Sequence, residues 1–175
     1  MELEERVAEL ERRIAVLEQA ADGAPPVLDD GDFWALDGLK DQFDRLGDAA
    51  ADGGVLFTGT VRLPAGERYE WQYGALTTGL LGTDEYRPDW AEAAEPLAAL
   101  GHPVRLRLLR EILAGRRTAA ELAELDETGT TGQIYHHLRL LTGAGWLHTT
   151  GRGRYEVPGT RVVPLLVVLT AAARP

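Results

Sequence analysis

The sequence predicts a protein of the α+β class that is mainly α and ends in a winged helix-turn-helix. Three observations predict it. Residues 100–142 hold three short segments with apolar residues at helical spacing, Gly143 follows the third segment, and two short strand-like runs surround the turn at Gly153. Three helices followed by a hairpin are the order of a winged helix-turn-helix, which usually places one helix in the major groove of DNA.

Residues 1–20 carry a heptad pattern, with apolar residues at alternating intervals of four and three. Because an isolated helix this short is marginal in water, it should either pair with a second copy or pack on the body of its own domain. We expect a coiled-coil dimerisation helix over 1–20, followed by a linker over 21–31 that Pro25 and Pro26 stiffen. The residues of the pattern are Leu3, Val7, Leu10, Ile14 and Leu17.

Residues 32–87 are expected to form an accessory or sensor domain, built from a helix and a β-hairpin. Asp32 is a suitable N-cap for an amphipathic helix that ends near Leu46. Residues 55–63 and 67–73 alternate between apolar and polar side chains, and a turn at 64–66 joins these two strands. The chain over 74–81 could extend the second strand.

Three aromatic side chains share one face of the second strand of this hairpin. Tyr69, Trp71 and Tyr73 lie at every second position. Aromatic residues are common in strands, so this face could simply pack against the helix over 33–46. The alternative is a binding site for a small apolar or aromatic effector.

Residues 88–175 are expected to be the DNA-binding and dimerisation domain. It starts with a helix over 88–100, which Pro96 kinks or restarts. After a break at His102, the next helix extends to Leu113. Thr118, with Glu121 three residues later, predicts a capping box on a third short helix. The N–H groups at the start of that helix suit a DNA phosphate.

The candidate recognition helix starts near Thr130 and extends to Thr142. Ile134, Leu138 and Leu141 repeat at helical spacing, so they face the core and leave the polar residues, His137 among them, exposed. Glutamine can read adenine through two hydrogen bonds, and hydroxyl groups can contact bases or phosphates. The expected DNA-binding residues of this helix are Thr130, Thr131, Gln133, Tyr135, His136 and Arg139.

The C-terminal part contains a predicted wing and an apolar tail. Arg152 and Arg154 flank Gly153 at the tip of the wing, where an arginine can enter the minor groove or bind the DNA backbone. The tail over 162–169 is too short to span a bilayer, and a helix this apolar must be buried. It is buried either against the 88–100 helix across a dimer axis or in the core of one monomer.

Charge is distributed unevenly along the 175-residue chain. Residues 1–95 hold 22 acidic and 8 basic residues, whereas residues 96–175 hold 6 acidic residues and 10 arginines. The C-terminal part is therefore locally basic, as phosphate binding requires, although the net charge is −10. With no Cys, no signal-peptide pattern and no transmembrane run, we expect a cytoplasmic protein that does not contact membranes.

The composition argues against an enzyme, a cofactor and a metal site. Neither Cys nor Ser occurs, so the common nucleophiles of catalytic triads are missing, and no spacing pairs an acid with a base. His136 and His137 diverge by about 100° on a helix and cannot chelate one ion together. A metal would need His102 or His148 in addition.

Residues 88–173 resemble the ArsR family of winged-helix repressors. The similarity lies in 102–109 (HPVRLRLL), 118–122 (TAAEL), 137–147 (HLRLLTGAGWL) and the wing over 151–157. It implies a homodimer, joined through the helices flanking the core, that binds a near-palindromic operator and is released by a ligand or metal. The family's thiolate metal box is replaced here by 121–125 (ELAEL), and its carboxylate–His pattern on the last helix is absent. Metal sensing at those sites is therefore not expected.

The sequence thus predicts a dimeric transcription regulator, acting as a repressor, that binds double-stranded DNA through a recognition helix and an arginine-tipped wing. A small-molecule effector is a further expected partner. The alternative is a winged-helix interaction module that does not read DNA, which the acidic surplus and the heptad segment favour.

Overall fold

The structure is a computed structural model that describes residues 33–82, 89–125, 129–151 and 153–173. The chain divides into two compact units, residues 1–42 and residues 43–175. The predicted coiled-coil helix over 1–20, the linker over 21–31 and the N-cap Asp32 lie outside the described residues.

The first described helix, α1, spans Trp34–Leu46, where the sequence predicts an amphipathic helix. None of its residues is buried. Gly47, with a φ of 60°, ends α1 and begins a short 3-10 helix, Gly47–Ala50. Glycine fits here because a left-handed φ costs it no steric energy.

The predicted N-terminal hairpin is present as strands β1, Gly54–Arg62, and β2, Arg68–Leu76. The strands are antiparallel and pair from Gly54 opposite Leu76 to Arg62 opposite Arg68. Strand β2 extends beyond the predicted end at residue 73, because its last residues pair with the start of β1. The chain then forms a short helix, α2, Thr77–Leu81, so the possible extension of the strand over 74–81 ends at Leu76.

The predicted helix over 88–100 consists of two pieces. A 3-10 turn, Trp90–Ala93, begins at Asp89, whose carboxylate accepts a hydrogen bond of 2.8 Å from the Ala91 N–H. Helix α3, Ala94–Leu100, follows. Pro96 causes no break because it lies in the first turn of α3, where a backbone N–H has no intrahelical partner to lose.

The remaining elements form the winged helix-turn-helix, and the sequence prediction of a mainly α fold with this domain at its C-terminal end is confirmed. Helix α7 follows the wing and closes the domain. In chain order the elements are α4, Pro103–Leu113, α5, Ala119–Ala123, α6, Thr131–Gly143, β3, His148–Gly151, β4, Arg154–Glu156, and α7, Gly159–Ala172.

The core lies between α4, α5, α6 and α7. It consists of branched aliphatic side chains at helical spacing, so each helix contributes one apolar stripe. Its largest fully buried side chains are Leu108, Leu109, Ile112, Leu122, Ile134, Leu138, Leu141, Leu147, Val162, Val163 and Leu165. Within the described part of the chain, no helix combines the length and the apolar character needed to cross a bilayer.

The apolar tail is helix α7, and its buried face packs against β1 and β2 as well as the core. Gly59 of β1 allows this close approach, because a Cβ at that position would lie 2.7 Å from Cγ1 of Val163. Within this single chain, the tail buries Val162, Val163 and Leu165.

Candidate nucleic-acid interface

Helix α6 occupies the recognition position of the helix-turn-helix, directly after α5. Ile134, Leu138 and Leu141 are completely buried, as their spacing predicts. The polar side chains proposed for DNA contact on this helix are therefore brought together on its open side. Those that the structure leaves exposed are Thr131, Gln133, Tyr135, His136 and Arg139.

The open side of α6 also includes two glycines, which add no side-chain bulk. Gly132, His136 and Gly143 follow one line along the helix, at intervals of four and seven residues, with Arg139 beside it. A Cβ at Gly143 would meet no atom within 4 Å, and one at Gly132 would meet only the Thr130 hydroxyl at 4.0 Å. At Gly132 and Gly143, the backbone of α6 can thus approach another surface closely.

The N-terminus of α6 is held by a capping box that the sequence analysis did not identify. The Thr130 hydroxyl accepts a hydrogen bond from the Gln133 N–H at 3.4 Å, and Gln133 Oε1 accepts one from the Thr130 N–H at 2.8 Å. The spacing of threonine and glutamine, three residues apart, is the signal that predicts such a box.

This cap uses part of the hydrogen-bonding capacity of the Gln133 side chain. Reading adenine through two hydrogen bonds requires both the amide oxygen and the amide nitrogen of a glutamine. Oε1 of Gln133 accepts one hydrogen bond from the Thr130 N–H, and an amide oxygen has two lone pairs, so a second acceptor position remains beside the Nε2 donor. The bidentate contact of Gln133 with adenine stays a prediction, and it would share Oε1 with the cap.

The N-terminus of α5 differs from the expectation that its N–H groups can receive a phosphate. The predicted capping box is present, and the Glu121 carboxylate accepts hydrogen bonds from the N–H groups of Arg117 and Thr118, at 3.0 and 2.8 Å. Hydrogen bonds from the Thr118 side chain and backbone lower the pKa of Glu121. Thr118 therefore lies beside an anion that already occupies this helix end.

The wing is short and is attached to the chain in front of α5. Gly153, with a φ of 70°, makes the turn between β3 and β4, and Arg154 begins β4 with its side chain exposed. Thr118 forms a β-bridge with Arg154. The wing thus brings Arg154 close to the start of α5. Arg152, the other arginine predicted at the tip, lies outside the described residues.

His137 is half-buried rather than exposed as predicted. Its ring centroid lies 4.7 Å from that of His102, whose Nδ1 accepts a hydrogen bond from the Val104 N–H and caps α4. Burial, followed by the charges of His102, Arg105 and His136, lowers the pKa of His137. Among the described residues, no three His, Asp or Glu side chains are grouped so that they could hold a metal ion.

The aromatic face of β2 packs against α7 at the Tyr69 end. Gly59, directly opposite Trp71, contacts Val163, and a Cβ at Gly159 would lie 3.1 Å from the Tyr69 ring. Tyr69 therefore has a packing role. The helix that it contacts is α7, whereas the sequence predicted the helix over 33–46. Tyr73, at the other end of the face, is 59% exposed.

A cavity beside Tyr69 has a volume of about 10 Å³, which suits about one water molecule and no aromatic ligand.

An ion cluster that was not predicted from the sequence lines one side of this cavity. Arg117 donates hydrogen bonds to Glu156 Oε1, at 2.8 Å, and to Glu67 Oε1. The pKa of Glu67 is lowered by a hydrogen bond from its own backbone and by the hydrogen bond from Arg117. The hydrogen bond to Glu67 in turn raises the pKa of Arg117.

Comparison with known proteins supports the helix-turn-helix. Residues 100–149 match a family described as a helix-turn-helix domain, which supports DNA binding and transcription regulation in general terms. The chain is also 31% identical over 114 residues to the hybrid PKS-NRPS synthetase xenE of Xenoacremonium sinensis, covering 59% of this chain. It spans only 3% of the length of that curated relative. No solved structure matches the chain.

Proposed function

We propose that this chain is a transcription regulator, of the repressor type, that places α6 in the major groove of DNA. The open side of α6 carries the proposal, because its polar and basic side chains surround a line where two glycines add no bulk. The helix-turn-helix match over 100–149 supports the same function. A protein-interaction module that does not bind DNA is therefore the less favoured alternative.

The proposed contacts divide into base contacts and backbone contacts. The proposed base contacts are His136, at the centre of the open side, Thr131, in the first turn, and the side-chain amide of Gln133. Arg139, Tyr135 and the wing arginines Arg152 and Arg154 are the proposed phosphate or minor-groove contacts. Thr118 and Thr130 serve this surface by capping α5 and α6.

We further propose that the regulator is a homodimer that binds two half-sites. Exposed apolar side chains on α7 and near α3 support a second copy, because large exposed apolar patches often mark protein interfaces. Leu97 is 53% exposed on α3, Trp90 is 67% exposed just before it, and Leu169 is 36% exposed on α7. Light scattering gives the molar mass of the native protein and of Leu97→Glu. A monomeric native protein, or a Leu97→Glu variant that is still a dimer, counts against this interface.

An effector site remains a proposal for the exposed end of the aromatic face. Tyr73 is exposed, and its ring centroid lies 5.9 Å from that of Phe57, so a small aromatic molecule could stack there. Ligands are screened by thermal shift and tryptophan fluorescence. A ligand that binds Trp71→Ala and Tyr73→Ala as it binds the native protein excludes this site.

The test of the main proposal is fluorescence anisotropy with two duplexes, one from the promoter region of the chain's own gene and one scrambled, at two salt concentrations. We expect tight, sequence-selective binding that weakens steeply with salt, because phosphate contacts release counterions. Absence of binding to both duplexes at low salt overturns the proposal and favours the interaction module.

Two variants locate the interface. Arg139→Gln should weaken binding to both duplexes and reduce the salt dependence by about one phosphate contact. His136→Ala should reduce the preference for the promoter duplex. The matched control is Arg45→Gln, which removes one exposed positive charge from α1, outside the helix-turn-helix. If Arg45→Gln has the same effect as Arg139→Gln, the proposed docking of α6 is wrong.

A further inference from the structure

Arg117 connects two parts of the chain that are distant in sequence. Its side chain, only 16% exposed, binds Glu67 at the β1–β2 turn and Glu156 on the wing strand β4. The two carboxylates are 50 and 39 residues away from Arg117 along the chain. A guanidinium can bind two carboxylates at once because its N–H donors point in fixed directions.

The backbone of the same segment holds the wing. The Arg117 carbonyl accepts a hydrogen bond of 2.7 Å from the Tyr155 N–H, and the Ala119 N–H donates one of 3.3 Å to the Gly153 carbonyl. With the bridge between Thr118 and Arg154, residues 117–119 act as a third strand beside β4. The wing therefore takes its position from Arg117 through both its side chain and its backbone.

We propose that Arg117 is a positioning residue that couples the N-terminal hairpin to the wing, so that the state of the hairpin sets the DNA affinity. Glu67 fixes the guanidinium from the hairpin side, and Glu156 and Tyr155 transmit its position to β4, which carries Arg154. A ligand or partner that moves the β1–β2 turn would thereby loosen the wing. This inference rests on the proposed DNA-binding function for its consequence, but not for the coupling itself.

The variant Glu67→Gln tests the proposal because simple electrostatics and coupling predict opposite signs. Removal of a negative charge should tighten DNA binding if charge alone matters. Coupling predicts weaker binding, by about fivefold, since the guanidinium loses its ionised hairpin partner and the wing is less well held. Glu70→Gln is the matched control, because Glu70 is an exposed acidic residue on the same hairpin with the same charge.

The second readout is hydrogen exchange at the Tyr155 amide in the DNA-free protein. We expect faster exchange in Glu67→Gln than in the native protein and in Glu70→Gln, with urea unfolding confirming that all three are folded. In an Arg117→Gln background, Glu67→Gln should cause no further change, because its effect passes through Arg117.

The outcomes separate the two proposals. Unchanged exchange at Tyr155 in Glu67→Gln overturns the coupling, whatever the DNA affinity does, and so does an equal effect of Glu67→Gln and Glu70→Gln on both readouts. If the native protein binds no DNA, the proposed function fails, and the exchange measurement alone then upholds or overturns the coupling between hairpin and wing.

Discussion

The N-termini of α5 and α6 have the same capping architecture but differ in the charge of the capping partner. Each helix begins after a threonine whose hydroxyl accepts a backbone N–H bond, and each has a reciprocal partner three residues later. In α5 the partner is the carboxylate of Glu121, and in α6 it is the neutral amide of Gln133. The two helix ends therefore differ by one unit of charge.

That difference supports the proposed roles of the two helices, with α6 and not α5 at the DNA. The positive end of a helix dipole favours an anion, and α5 supplies its own in Glu121. Helix α6 satisfies its first N–H groups without a charge, so its positive end can still attract a DNA phosphate. The neutral cap thus fits the helix that we propose to enter the groove.

The largest expected effect comes from the residue before the α6 cap. Gly129 has a φ of 89°, and a Cβ there would collide with the side-chain amide of Gln133. Gly129→Ala should therefore strain the backbone and break the cap, lowering the free energy of unfolding by about 2 kcal/mol in urea titrations.

Gly143→Ala is the control, because a Cβ there meets no atom within 4 Å and the backbone is not left-handed. It should leave stability unchanged or raise it slightly. Equal stability of both variants would show that the α6 cap does not depend on Gly129.

The next prediction makes the α6 cap resemble that of α5. Gln133→Glu keeps the reciprocal cap but adds a negative charge where a phosphate should lie. We expect DNA affinity to fall by about tenfold in anisotropy titrations, with stability maintained. Gln72→Glu adds the same charge at an exposed position on β2. If the two variants lose equal affinity, the N-terminus of α6 is not at the DNA.

A smaller effect separates the two N-cap threonines. Thr130→Ala should lower the free energy of unfolding by about 1 kcal/mol, the usual cost of losing such a cap. Thr118→Ala should cost somewhat more, because the Thr118 hydroxyl also donates a hydrogen bond of 2.8 Å to Glu121. Each variant serves as the control for the other in thermal or urea unfolding, and a larger loss at Thr130 would contradict the comparison.

The smallest expected effect is a difference in pH dependence. The pKa of Glu121 is lowered below its usual value of 4.5, so the unfolded chain takes up this proton first as the pH falls. The stabilisation that Glu121 provides is present above about pH 4.5 and is lost as the pH falls through its folded-state pKa. Glu121→Gln should thus lose less stability than the native protein between neutral and acid pH.

Urea titrations across this range measure the difference. Glu67→Gln is measured beside it, because Glu67 also has a lowered pKa and contributes with the same sign. Parallel stability profiles of the native protein and Glu121→Gln would show that the charge of the α5 cap contributes nothing.

The sequence by itself determined the features in which all partners lie within one turn or one strand. The core stripe of α6, the Thr118–Glu121 cap and the alternating strands of the N-terminal hairpin follow from local spacing, and spacing fixes which side chains share a face. The exposure of Arg139 and His136 was predictable for the same reason. The Thr130–Gln133 cap was equally predictable from the spacing of its two residues.

Only the tertiary structure decided the contacts that depend on the path of the chain. The partners Glu67 and Glu156 of Arg117, the burial of His137 beside His102, and the packing of α7 on the N-terminal hairpin join residues far apart in sequence. No local sequence period specifies such pairs. A long segment between two residues allows many different pairings, and the packing of the whole domain selects one of them.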